Sequence, residues 1–259
     1  MLVDSHTHLL DPRLRERADG IIKSLKRDGI SFVVEISADP TEARECVAFA
    51  TKHEGVYCTV GVHPNFADSF CDDFEQWAIG QKGNPKIVAV GECGLDFHHM
   101  ECPAEMQREV FVRQIKLADK MGLPLVVHSR DAFDDTFKVL KQHRKYLKHG
   151  LLLHCFSGGA DEAERFKALD AYFAFGGAIT YKNSGLSAEA IRVVSRDRLM
   201  IETDCPYLAP VPVRGTVNEP KNIKLVAEHI AEVLGVSFDE VARITTENSK
   251  RFYRILQEF

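Results

Sequence analysis

The chain returns eight times to a short run of apolar and β-branched residues, and longer segments of helical period lie between the runs. The runs are "LVDSHTHL" from Leu2, "ISFVVEIS" from Ile30, "VYCTVGVH" from Val56 and "KIVAVGECGLD" from Lys86. They continue with "LPLVVHSR" from Leu123, "GLLLHCFSG" from Gly150, "AYFAFGGAIT" from Ala171 and "LMIETDCPY" from Leu199. Strands that are apolar on both faces and alternate with helices predict a parallel sheet covered by helices on each side. In "AEMQREVFVRQIKLADKM", Met106, Val110, Ile115, Leu117 and Ala118 supply the apolar stripe of one such helix. Eight units in 259 residues fit an α/β fold of the (β/α)₈ TIM-barrel type. An open doubly wound sheet would show about six strands and a Gly-rich first turn, and the first turn here, "SHTHLLDPR", has no glycine. No Ser/Gly linker or shift of composition divides the chain, so residues 1–259 are expected to form a single domain. Two helices, from about Glu219 and about Phe238, are expected to close it, the second broken near Asn248.

Aligning the runs at their C-terminal ends gathers a set of polar residues. The first carries His6 and His8, the third ends in His63, and the fourth holds Glu92 and Asp96. The fifth carries His128, the sixth His154, and the eighth Glu202 and Asp204. On a strand, residues i and i+2 share a face, so His6 and His8 project together while Ser5 and Thr7 face away. Taken alone, that pair allows a metal ion, carboxylate partners or a packing accident. The strand ends of a barrel meet at one mouth, where active sites of this architecture sit. His6, His8, Glu92, His128, His154 and Asp204 would converge there from five strands. Four imidazoles and two carboxylates exceed the needs of one tetrahedral ion and suit two divalent ions bridged by a carboxylate. Two such ions against two carboxylates leave a surplus of about two positive charges, which attracts an anionic substrate. The six remaining histidines of the 11 fall in helical or loop segments and read as surface residues.

The rest of the composition narrows the class. A net charge of −5 argues against a dedicated high-affinity nucleic-acid binder, though not against an enzyme with a locally positive site. No run approaches the roughly 18 apolar residues of a membrane span, and the N-terminus lacks the basic and apolar regions of a signal peptide. Seven scattered cysteines without a C-x-x-C read as reduced thiols, consistent with a cytoplasmic protein with no evident obligate protein partner.

"DSHTHL", "GVHP", "GECGLD", "HSRDA", "HCFSG" and "ETDCPY" occur in that order, and the chain from Asp4 to "ENSKRFYRI" resembles the TatD family of metal-dependent hydrolases. The resemblance implies a two-metal hydrolase, Mg²⁺-dependent deoxyribonucleases being among the members. Carried over by position, His6 and His8 would ligate a first ion, His128 and His154 a second, and Glu92 would bridge them. Asp204 would contact the first ion and act as general base, and His63 would line the site and touch substrate. Mg²⁺ follows from the family, whereas the imidazoles allow Zn²⁺ or Mn²⁺. The substrate class implied is a phosphodiester, DNA or a small one; an ester, lactone or amide, or metal-dependent binding without turnover, are the alternatives. One loop departs from the pattern. Here "VRGTVNEPKNI" has Thr216 and Val217 where basic residues are usual, and Lys221 and Asn222 where an aromatic would come.

Four further features each allow two readings. Arg130 follows His128 by two residues and could meet a substrate phosphate, or Asp131 could cap the next helix with Arg130 as its ion-pair partner. "SGG" at 157–159 could cradle an anion or be a plain turn. Cys93, Cys155 and Cys205 adjoin proposed ligands but should face the opposite side as packing residues. Glu202 shares a face with Asp204 and could orient a ligand histidine or form a structural ion pair.

Overall fold

The computed structural model describes residues 1–255. All eight expected strands are present: β1 Leu2–Thr7, β2 Ile30–Glu35, β3 Val56–Val60, β4 Ile87–Asp96, β5 Leu125–Arg130, β6 Leu151–Leu153, β7 Tyr172–Phe175 and β8 Leu199–Ile201. Every neighbouring pair from β1 to β8 is parallel. The barrel closes between its ends through a Thr7–Cys205 bridge, with Asp204 N donating to His6 O at 3.0 Å and His8 N to Cys205 O at 2.8 Å. The expected (β/α)₈ barrel is therefore what the chain forms.

Among the described residues the helices are α1 Ala18–Ser24, α2 Pro40–Lys52, α3 Asp72–Gly80, α4 Ala104–Met121, α5 Phe133–Gln142, α6 Ala160–Lys167, α7 Gly185–Val193, α8 Ile223–Leu234 and α9 Phe238–Tyr253. Their ends follow local chemistry. Asp39 caps α2 by accepting from Thr41 N and Glu42 N, and Ser237 caps α9 by accepting from Glu240 N. Gly122 ends α4 in the left-handed conformation that a β-carbon disfavours.

Alternating strand residues split between two cores. Val33, Val60, Val90, Val127 and Leu153 pack outward under the helices. Phe32, Val34, Val88, Val126, Leu152 and Met200 fill the barrel, and Phe252 and Tyr253 of α9 belong to that inner cluster. The Tyr253 hydroxyl donates to Ser5 O at 2.8 Å, so α9 closes the end of the barrel opposite its mouth.

Two expectations need correcting. The second C-terminal helix does not break near Asn248, because that side chain is buried and donates to Arg196 O and Leu199 O, pinning α9 to β8. Several strands are also shorter than their apolar runs. His8, His63, His154 and Asp204 lie just beyond β1, β3, β6 and β8, where the backbone has left the ladder and can turn its side chains to the barrel axis.

Candidate metal centre

The His6 and His8 rings meet with Nε2 atoms 3.2 Å apart, as expected for i and i+2, while the Thr7 hydroxyl binds Glu35. Glu35 is fully buried and also accepts from Leu9 N and Leu10 N, fixing the chain as it leaves β1. Opposite stands Asp204, whose Oδ1 lies 3.7 Å from His6 Nε2 and 3.4 Å from His8 Nε2. Glu92 Oε1 lies 3.8 and 3.7 Å from the same two nitrogens. A tetrahedral ion with bonds of about 2.0–2.1 Å spaces its ligand atoms about 3.4 Å apart. The five of these separations that involve an imidazole, 3.2 to 3.8 Å, are close to that spacing, and His6, His8 and Glu92 form a group that could hold an ion.

The other Glu92 oxygen faces a second pair. Glu92 Oε2 is 2.8 Å from His154 Nε2 and 3.5 Å from His128 Nδ1, and those nitrogens are 3.1 Å apart. Glu92 reaches the axis because β4 presses close to β5. A β-carbon on Gly91 would stand 2.5 Å from Val126 O, and one on Gly94 would collide with His128 O. Carboxylates stand behind both imidazoles of this half. His154 Nδ1 approaches Glu202 Oε1 at 3.3 Å, and Glu202 is held in turn by Cys155 N at 2.7 Å. His128 Nε2 lies 3.5 Å from Asp96 Oδ2. This is the outer arrangement that orients metal-ligating histidines.

The residues fit a cation better than they fit one another. Glu92 Oε2 has no hydrogen-bond partner among the described residues, although a ring nitrogen sits 2.8 Å away. Burial resists the His8 imidazolium, but Asp204 and Glu92 raise its pKa to about 9. Burial likewise opposes charge on Glu92, and the surrounding histidines override it, holding the carboxylate well below its usual range. Burial drives His6 the other way, toward the neutral ring that a ligand requires.

His63 lies beside the second half, its ring 4.4 Å from that of His128. Its Nδ1 accepts from Asn65 N at 3.1 Å, and burial lowers its pKa to about 3. The ring is then neutral, and the Asn65 contact favours the proton on Nε2; His63 also forms, with Glu92 and His128, a group that could hold an ion. Arg130 lines the cleft of about 910 Å³ above the centre. It has no side-chain hydrogen bond or ion pair among the described residues. Asp131 does not cap α5, whose N-terminus lacks a side-chain cap; it faces His98 Nδ1 at 3.0 Å. Gly159 N at the "SGG" turn is taken by Glu162 at 2.9 Å. Cys93 and Cys205 are buried, Cys155 nearly so, and burial pushes all three thiols up, as packing residues should behave.

Sequence reading missed His99. Placed with the surface histidines, it sits at the mouth with Nδ1 2.7 Å from Asp96 Oδ2. Its position three residues past Asp96 at a strand end was the available signal. The rim aromatics Phe66 and Tyr207 were also missed, although Tyr207 closes the "ETDCPY" motif, because exposure at the mouth is a property of the folded chain.

A family model described as TatD related DNase matches residues 3–254. A metal-dependent hydrolase of Bacillus subtilis, YabD, is 37% identical over 98% of this chain and 100% of its own length. A Cronobacter sakazakii protein named 3'-5' ssDNA/RNA exonuclease TatD is 32% identical over 91% of each chain. The crystal structure of YjjV, a TatD homologue from Escherichia coli, superposes with a TM-score of 0.92 at 26% identity, covering 98% of both chains.

Proposed function

Since the chain belongs to the TatD family of metal-dependent hydrolases, we propose that it cleaves phosphodiester bonds with two divalent cations held at the barrel mouth. The observation that carries this reading is the division of Glu92: one oxygen faces His6, His8 and Asp204, the other His128 and His154. When bound, the ions supply Lewis acidity, which makes water nucleophilic at neutral pH and offsets the charge growing on the phosphoryl oxygens.

The chain's own groups do the rest. Asp204, next to the first histidine pair and partly open to the cleft, accepts the proton of the attacking water. His63 donates from Nε2 to a substrate oxygen, and Arg130, unpaired at the rim, takes a phosphate oxygen in charge-assisted hydrogen bonds. Glu92 serves both halves. Four imidazole nitrogens suit Zn²⁺ or Mn²⁺, while Mg²⁺ prefers oxygen.

The loop after β8 adds little charge. Arg214 lies over the Tyr181 ring at 4.2 Å, and Val217 is exposed where a basic residue is usual in the family. A short phosphodiester therefore fits better than a long duplex. The test is hydrolysis of bis-p-nitrophenyl phosphate, a carboxylic ester and a lactone, each with Mg²⁺, Mn²⁺ or Zn²⁺. Faster turnover of the diester supports the reading. Preference for the ester or lactone, or no turnover with metal bound, removes it.

A further inference from the structure

Charge around the cleft raises a question about what holds the substrate. Asp39, Glu42, Glu45 and Glu101 line its wall, and of the arginines there Arg15 is already paired with Glu45 at 2.8 Å. That leaves Arg130. A duplex presents one phosphate charge per about 1.7 Å of axis, and such a wall repels all but the phosphate at the centre itself. Binding beyond that phosphate needs an uncharged surface.

Two aromatic rings provide one. Phe66 and Tyr207 both line the cleft, and they are 46% and 45% exposed, unusual for large side chains beside a buried site. They bracket the ligand cluster. Tyr207 lies against the first half, its centroid 5.9 Å from that of His8. Phe66 lies beyond the second half, 6.4 Å from His63, which itself packs on His128.

Tyr207 is also held still. The Arg13 guanidinium sits over its ring at 4.3 Å, and its hydroxyl donates to Asp11 Oδ2 at 3.2 Å. Asp11 anchors Arg13 through two bonds, at 2.9 and 2.8 Å. Buried Asn218 donates to Tyr207 O at 2.8 Å and Thr203 O at 2.9 Å, tying the segment to the end of β8. A ring immobilised before binding loses little entropy on binding.

Resting on the phosphodiesterase reading above, we propose that Phe66 and Tyr207 are base-binding platforms. They stack on the nucleobases flanking the scissile phosphate of a single-stranded nucleic acid. Stacking is available only to unpaired bases and is tolerant of sequence. The acidic wall then discriminates against duplex, whose bases are hidden and whose phosphates are dense.

The experiment compares thymidylyl-thymidine with the same dinucleotide lacking both bases, using metal-loaded protein. Stacking energies measured on aromatic platforms predict a wild-type kcat/KM ratio of roughly 10- to 100-fold in favour of the base-bearing substrate. Phe66→Leu and Tyr207→Leu should each shrink that ratio about 5-fold or more, mainly through KM, and Tyr207→Phe should retain it. A 2-aminopurine dinucleotide should lose fluorescence on binding wild type and lose less with either Leu variant. Equal kcat/KM for the two substrates in wild type overturns the platforms and leaves the phosphodiesterase reading standing. Cleavage of neither by metal-loaded wild type overturns the reading beneath. If melting curves show that one Leu variant is unfolded, the wild-type ratio and the other variant decide.

Discussion

The two halves of the centre share one carboxylate and are supported in different ways. The half around His128 and His154 is backed by side chains, since Asp96 and Glu202 stand behind the imidazoles. The half around His6 and His8 is backed by the fold. His6 Nδ1 is buried without a hydrogen-bond partner among the described residues, and its ring stacks on His154 at 3.9 Å. Its backbone carbonyl accepts from Asp204 N, and His8 N donates to Cys205 O, so barrel closure itself brings these residues together. In one half carboxylates stand beside the rings, Glu202 hydrogen-bonded to His154 and Asp96 3.5 Å from His128; the other half has its positions set by strand pairing. The first kind of support is tunable by single substitutions, and the second is not.

Glu92 belongs to both halves, so Glu92→Gln should break the comparison altogether. Elemental analysis should find fewer than one ion per chain, and diester hydrolysis should fall on the order of 10⁴-fold. Retention of two ions would show that the halves assemble without the shared carboxylate.

Next in size is Asp204→Asn, which keeps an oxygen near the ion but removes the proton acceptor. Turnover should drop roughly 10²- to 10³-fold with only a modest loss of occupancy. His6→Ala should behave oppositely, weakening metal binding and recovering part of its activity in excess metal. Rates measured against metal concentration, with occupancy in parallel, separate the two. Near wild-type turnover in a fully metallated Asn variant would move the base elsewhere.

Asp96→Asn and Glu202→Gln should act only on the second half. Each should weaken the affinity of one ion about 10- to 100-fold and leave the other ion's titration in place. Calorimetric metal titration reads this directly. Equal loss at both sites would dissolve the distinction between the halves.

The smallest expected effect is global. Ligands from strands around the whole barrel should make metal a stabiliser, by about 1.4 kcal/mol at ten times Kd, or roughly 3–6 °C in a chain of this size. Coincident melting curves in chelator and in divalent cation would count against a centre that spans the barrel.

Much of the fold and of the residue cluster at the mouth was legible from the chain because the strand runs are continuous and the clustered histidines and carboxylates stand at their ends. Gly91, Glu92 and Gly94 lie together in "GECGLD", so the local sequence holds both the carboxylate that faces the two histidine pairs and the glycines that let its strand approach β5. Asp131 was ambiguous for a physical reason. An Asp before a helix is a cap by propensity, but here His98 offers a closer partner and takes it. His99 looked like a surface residue because the turn after β4, which folds it back onto Asp96 three positions earlier, has no strand or helix period to mark it.

The sequence by itself determined the barrel and the residue types at its mouth, since periodicity and strand-end position are local properties of the chain. Only the tertiary structure decided that Glu92 turns one oxygen to each histidine pair, and that Asp96 and Glu202 back one pair alone. It alone set Phe66 and Tyr207 on opposite sides of the centre, 141 positions apart by number. Those relations depend on distances between strands that meet only when β1 and the segment after β8 close the sheet, and no local pattern encodes them.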